Sequence, residues 1–153
     1  AFARGEEAET AAPVDLAALL GEITAAARRQ NPNITLDAPT GVEIILRRNA
    51  MKRCLTNLAG NALRYGSRAA IGAAVEDHSV IVTIDDDGPG IEAAKREEMF
   101  RPFTRLEESR NQATGGVGLG LTIARDIARS HGGDVTLEDS PLGGLRAKVW
   151  LPI

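Results

Sequence analysis

Asn57 and Asn61 stand four positions apart in a stretch that reads as a helix from Asn49 to Tyr65. On a helical wheel Met51, Leu55, Leu58, Ala59 and Ala62 share one face, and Arg53, Asn57, Asn61 and Arg64 share the opposite one. Polar residues opposite an apolar stripe ordinarily form a solvated face. Such faces favour Glu and Lys, however, and Asn is a poor helix former. Two amide oxygens at this spacing also suit a hard cation such as Mg²⁺, with phosphate oxygens completing its shell. A second constellation is Asp86-Asp87-Gly88-Pro89-Gly90, directly after a strand-like run. An ionised carboxylate only accepts hydrogen bonds. At the floor of a pocket, Asp86 could accept from the exocyclic amine of adenine, where the carbonyl of guanine would repel it. Gly88 and Gly90 allow tight turns and close approach of a ligand. The plainer reading is an Asp/Gly turn ending a strand.

A third constellation is Gly115-Gly116-Val117-Gly118-Leu119-Gly120, which opens into a helix over Leu119–Ser130. Small residues there bare the backbone N–H groups, and the helix dipole favours an anion such as phosphate. A flexible glycine loop is the alternative. No Gly-Lys-Ser/Thr follows, so this is not a Walker A loop. Leu121 occupies the place of a third Rossmann glycine, and no strand immediately precedes. Phe100-Arg101-Pro102-Phe103-Thr104-Arg105 supplies apolar anchors beside a polar loop. Arg105 and Arg110 could fork onto phosphate oxygens, although each alone fits a plain surface role.

The elements that must position these residues follow from periodicity and punctuation. Residues 1–13 are polar and rich in Ala and Glu, and read as a lead-in or the end of an upstream helix. Asp15 is a good N-cap for a helix in which Leu16, Leu19, Leu20 and Ile23 recur at helical spacing, stopped by Asn31-Pro32. Extended stretches at Ile34–Leu36 and Val42–Leu46 flank the turn at Pro39-Thr40-Gly41. Asn49 is the expected cap of the second helix and Gly66 its end. Strand-like runs Ala69–Val75 and Val80–Asp85 are joined by residues 76–79. A short helix is expected at 92–99 and a long loop at 104–118. Asp134–Glu138 and Leu145–Leu151 read as a closing hairpin around Pro141–Gly144. The mixture is α/β or α+β, with hairpins that argue against a purely parallel sheet.

Composition narrows the class. The chain has 153 residues, 43% hydrophobic and 25% charged, which suits one domain with its own core. A net charge of −3 argues against electrostatic binding to nucleic acid or to an anionic membrane surface. The one cysteine, Cys54, excludes an intrachain disulfide and a cysteine-rich zinc site, and His78 and His131 form no ligand cluster. No signal peptide or membrane-spanning run is evident.

Taken in order, these elements resemble the ATP-binding catalytic domain of two-component sensor histidine kinases, in the superfamily that includes DNA gyrases, mismatch-repair MutL proteins and heat-shock chaperones. The N box resembles Asn57-Leu-Ala-Gly-Asn61-Ala-Leu-Arg64-Tyr65 and the G1 box Asp86-Asp-Gly88-Pro-Gly90-Ile91. The F box resembles Phe100-Arg-Pro-Phe103 and the G2 box Gly116-Val-Gly118-Leu119-Gly120-Leu121, with Gly143-Gly144 as a last glycine motif. The likeness covers about residues 14–153, and several stretches resemble the osmosensor EnvZ-type kinases.

The resemblance implies a two-layer α/β sandwich, a mixed, mostly antiparallel sheet covered by three helices. It implies ATP between the second and third helices, under a lid spanning about residues 92–118. It further implies Mg²⁺ on Asn61, Asn57 near the phosphates, Arg64 on phosphate and Tyr65 packed near the nucleotide. Asp86 would take the adenine amine, beside Gly88, Gly90 and Ile91. Arg105 would approach the γ-phosphate, with Gly116, Gly118, Leu119, Gly120 and Leu121 at the phosphate end. Hydrolysing members carry Glu where this chain has Asn57. A neutral amide is no general base toward water, so phosphoryl transfer by a protein-histidine kinase is expected in place of efficient hydrolysis. Neither His78 nor His131 fits the family's phosphoacceptor motif, and His131 reads as a helix C-terminal cap. The acceptor histidine is therefore expected on a separate dimerisation domain, with residues 1–13 as the end of its hairpin. A response regulator is the downstream partner that the family implies, and the parent is expected to be an inner-membrane sensor with this domain in the cytoplasm. The alternative is a kinase-like module that senses nucleotide or scaffolds a partner without transfer.

Overall fold

The computed structural model describes residues 9–101 and 120–153. Their order is β1 (Ala12–Asp15), α1 (Leu16–Arg28), β2 (Ile34–Asp37), β3 (Glu43–Leu46), α2 (Arg48–Tyr65), β4 (Ala69–Glu76) and β5 (Ser79–Asp86). Two 3₁₀ turns follow, Ala93–Lys95 and Glu97–Phe100, and then α3 (Gly120–Ser130), β6 (Asp134–Asp139) and β7 (Leu145–Pro152). The loop expected at 104–118 lies outside the described residues.

The main sheet has five strands in the order β2-β4-β5-β7-β6. Only β2–β4 is parallel among its pairs; β4–β5, β5–β7 and β6–β7 are antiparallel. Strand alternation puts Val80, Val82 and Ile84 on one face, in register with Leu151, Val149 and Ala147, and all six are buried. The helices cover that face through Leu16, Leu19, Leu20 and Ile23 of α1, Met51, Leu55 and Leu58 of α2, and Ile123 and Ile127 of α3. The expected mixed sheet layered against helices is therefore the fold. Truncating one of these large side chains to Ala costs about 2–5 kcal/mol, which is why the apolar spacing fixes how each helix is rotated.

Asp15 caps α1 as expected, its Oδ1 accepting from the Ala18 N–H at 3.1 Å. Three local expectations change. Asn49 does not cap α2, because the N-cap position is Arg47, which offers no side-chain cap. The Glu9 carboxylate does that work across 40 residues, accepting from Asn49 N–H at 2.8 Å and Ala50 N–H at 3.1 Å. Ala12 and Pro13, read as lead-in, belong to β1 and pair with Leu46 and Ile45 in a separate two-stranded sheet. The short helix expected at 92–99 is divided into two 3₁₀ turns.

Candidate functional site

Asp86 is the last residue of β5 and continues the inward series of that strand at its open end, where it is 5% exposed. Its Oδ1 accepts from Gly88 N–H at 2.9 Å and Leu145 N–H at 3.1 Å, and its carbonyl accepts from Gly144 N–H at 3.1 Å. No described residue hydrogen-bonds to Oδ2. Burial pushes the carboxyl above its usual range, while the two N–H groups on Oδ1 pull it back. The result is an oriented acceptor, one oxygen fixed by backbone and the other without a hydrogen bond among the described residues.

The two neighbouring aspartates serve other ends. Asp85 faces the opposite side of the sheet and is forked by Arg146, Nε to Oδ1 at 2.7 Å and Nη2 to Oδ2 at 3.1 Å. Asp87 closes the turn after α2. Its Oδ1 accepts from Ser67 N–H at 2.7 Å and Arg68 N–H at 3.0 Å, and its Oδ2 accepts from the Ser67 hydroxyl at 2.7 Å. The Ser67 hydroxyl and then the Arg68 N–H hold this carboxyl down at about 2.

Two glycines let backbone close on Asp86. A Cβ at Gly88 would stand 2.6 Å from the Tyr65 carbonyl oxygen, so the turn rests directly on the C-terminal end of α2. A Cβ at Gly144 would stand 2.5 Å from Gly88 N and 2.6 Å from the Asp86 carbonyl oxygen. Gly90 turns at φ +72° against Gly144. Tyr65 is half-buried at this junction. One and two turns back along α2, Asn61 and Asn57 are half-buried, and their side chains hydrogen-bond to no described residue; Arg64 is exposed. Helix α3 packs alongside α2, with the Cys54 thiol 3.4 Å from the Ala124 carbonyl oxygen. Gly120 is the first described residue of α3, and Leu121 packs against the core, as does Ile91 beyond the Asp86 turn.

Residues 46–153 match the family described as histidine kinase-, DNA gyrase B-, and HSP90-like ATPase. The chain belongs to this family. Sensor histidine kinase CpxA of Escherichia coli is 42% identical over 129 residues, covering 83% of this chain and 28% of CpxA. The solved histidine kinase domain of the E. coli osmosensor EnvZ superposes with a TM-score of 0.70 at 34% identity, covering 92% of this chain and 88% of that one. The ATP-binding domain of PrrB from Mycobacterium tuberculosis gives 0.75 at 27% identity, covering 94% of this chain and 98% of that one. This is the catalytic ATP-binding domain of the sensor histidine kinase type, and it spans little more than a quarter of the length of CpxA.

In this ATPase domain, ten of the site residues expected from sequence fall on described elements: Asn57, Asn61, Arg64, Tyr65, Asp86, Gly88, Gly90, Ile91, Gly120 and Leu121. The Asp86 turn brings together Tyr65, Gly88, Gly90 and Gly144. Arg105, Gly116, Gly118 and Leu119 lie outside the described residues, as does Phe103. The sequence reading missed Leu145, which acts through its backbone N–H and so leaves no side-chain signal; the neighbouring Gly143-Gly144 was the nearest clue. No described helix is long and apolar enough to cross a membrane.

Proposed function

We propose that the domain binds Mg²⁺-ATP and transfers the γ-phosphoryl group to a histidine on a separate dimerisation domain, from which a response regulator takes it. The carrying observation is Asp86, buried, clamped through Oδ1 and open at Oδ2. The open oxygen accepts from the adenine amine, and guanine would set a carbonyl oxygen against it. Gly88, Gly90 and Ile91 border the base, and Tyr65 packs beside it. Arg64, Gly120 and Leu121, with Gly116, Gly118 and Leu119, take the phosphates, and the α3 N-terminus adds its dipole.

Among the described residues no three His, Cys, Asp or Glu side chains gather to hold a metal. A Mg²⁺ ion would therefore rest on the half-buried Asn61 amide oxygen and on phosphate oxygens, and when bound it neutralises the developing phosphate charge. Arg105 reaches the γ-phosphate. Asn57 offers no basic group to deprotonate water, which favours transfer over hydrolysis. In the transfer a histidine ring nitrogen attacks phosphorus in line, the bond to ADP breaks, and the catalytic work is positioning. His131 is unsuited to that role. Its Nε2 accepts from Arg47 N–H at 3.1 Å, which leaves Nδ1 to donate to the Ile127 carbonyl at 2.8 Å. His78 is exposed in the β4–β5 turn. The parent is a membrane-attached sensor with this domain on the cytoplasmic side, a reading supported by the sensor kinases to which the chain is similar.

The test is calorimetric titration with ADP and with a non-hydrolysable ATP analogue, with and without Mg²⁺, against GTP and the Asp86→Asn variant. Micromolar, adenine-selective binding that Asp86→Asn abolishes supports the pocket, and no binding by the folded chain overturns it. Labelled ATP added with a histidine-bearing dimerisation domain then separates transfer from nucleotide sensing.

A further inference from the structure

The segment from Gly90 to Phe100 runs from the Asp86 turn to the side of α3, and it is tied down at both ends. At the Asp86 end, Arg96 Nε donates to the Ile91 carbonyl at 2.9 Å, and its Nη2 reaches Asp139 of β6 at 2.5 Å. At the other end the ties go to α3. The Thr122 hydroxyl donates to the Phe100 carbonyl at 2.6 Å. Arg125 forks onto Glu97, Nη1 to Oε1 at 2.8 Å and Nη2 to Oε2 at 3.1 Å, while its Nε donates to Asp134 at 3.0 Å. The guanidinium lies 3.8 Å from the centroid of the Phe100 ring. Arg125 is 8% exposed, on a helix whose other buried side chains are Thr122 and small or aliphatic residues. A buried cation on such a face demands a reason, because its desolvation is costly unless its donors are used. Here Glu97 and Asp134 take both sides of the fork, and the Glu97 bond raises the Arg125 pKa further.

We propose that Arg125 is a positioning residue, which with Glu97 fixes the span between the Asp86 acceptor and the N-terminal turn of α3. The proposal rests on the nucleotide reading above and adds a residue to it. One end of the braced segment follows the Asp86 turn, which holds the adenine acceptor, and the other is bonded through Thr122 to the first described turn of α3, which meets phosphate. Loosening the Arg125–Glu97 tie lets the two ends move relative to each other. A ligand that engages both ends then loses more than one that engages chiefly the adenine end.

Glu97→Gln tests this with little risk to folding, since the Glu97 side chain is 76% exposed. Arg125→Lys is the companion, because a lysine cannot fork onto Glu97 while also bonding Asp134. Each variant is titrated with AMP and with the imido analogue of ATP in Mg²⁺, and thermal unfolding is recorded alongside. Exposed ion pairs contribute up to about 1 kcal/mol, so Glu97→Gln should weaken the triphosphate analogue about two- to fivefold and change AMP affinity by less than about 1.5-fold. Arg125→Lys should exceed that, and Glu97→Asp should recover part of it. A role in folding alone would lower the unfolding temperature and leave the triphosphate-to-AMP ratio at its wild-type value, which overturns the proposal. Failure of the wild-type chain to bind either nucleotide would overturn the underlying function instead.

Discussion

Replacing Gly144 with Ala tests the clamp on Asp86 most directly. The added methyl would stand 2.5 Å from Gly88 N and 2.6 Å from the Asp86 carbonyl oxygen, closer still to Asp86 Oδ1. Unstrained contacts need about 3.5 Å, so the Asp86–Gly88 backbone or the β6–β7 turn must shift by roughly 1 Å. Neither partner is the loose end of a side chain, and the shift breaks the 3.1 Å bonds from Leu145 N–H to Oδ1 and from Gly144 N–H to the Asp86 carbonyl. Overpacking of this kind costs about 1–3 kcal/mol of stability. Loss of an aligned hydrogen bond to a charged acceptor removes about 1.5–3 kcal/mol of binding, or about tenfold to a hundredfold in Kd. Calorimetry with Mg²⁺-ADP reads the second quantity and thermal unfolding the first. Gly143→Ala is the control: its Cβ meets nothing within 4 Å, but its φ of +103° strains any other residue. It should lose stability and keep its ADP affinity within about twofold. A folded Gly144→Ala protein with wild-type ADP affinity would refute the clamp.

Three further outcomes follow from other parts of the molecule. Gly21 and Gly60 lie within helices, and a Cβ at either meets nothing within 4 Å; Ala at each should stabilise the domain by about 0.5–1 kcal/mol, measured by urea unfolding. Cys54 is buried and its thiol pKa is pushed up to about 12 by desolvation, so a thiol reagent should label it at pH 8 only after denaturant is added. Burial lowers the His131 pKa below its ordinary 6.5, so the unfolded chain binds a proton more readily than the folded one. The contribution of this group is complete above about pH 6.5 and lost as pH falls below it. Urea midpoints at pH 7.5 and 5.5 should therefore fall more steeply for the wild type than for His131→Gln, and equal slopes would count against the neutral ring.

The helices were legible because each buries a stripe whose spacing needs nothing outside itself: Leu16, Leu19, Leu20 and Ile23, or Met51, Leu55 and Leu58, all reach the core. The hairpins at 69–86 and 134–152 were legible for the same reason at period two. What failed was set by distant partners. The start of α2 carries no strong local cap, and the carboxylate that serves it is Glu9, 40 residues upstream of Asn49. Strand β1 is four residues with a proline, and only its pairing with β3 makes it a strand.

The three successive aspartates show the same division inside the site. In sequence the three aspartates simply adjoin, and Asp86 is singled out by the glycines after it and by the likeness of Asp86-Asp87-Gly88-Pro89-Gly90 to a G1 box. Their fates are decided by groups far along the chain. Arg146, 61 residues on, neutralises Asp85 across the sheet, and Ser67, 20 residues back, consumes both oxygens of Asp87. Among the described residues Asp86 alone receives only backbone donors on its carboxylate, Gly88 close by and Leu145 59 residues away, and both bond to the same oxygen. A side-chain cation or hydroxyl in either place could rotate to cover both oxygens and compete with a base for the second. Backbone N–H groups cannot, since their direction is fixed by the turn and by the start of β7. The clamp that orients Asp86 thus rests on the register of β5 with β7, which the local Asp-Asp-Gly-Pro-Gly stretch does not display.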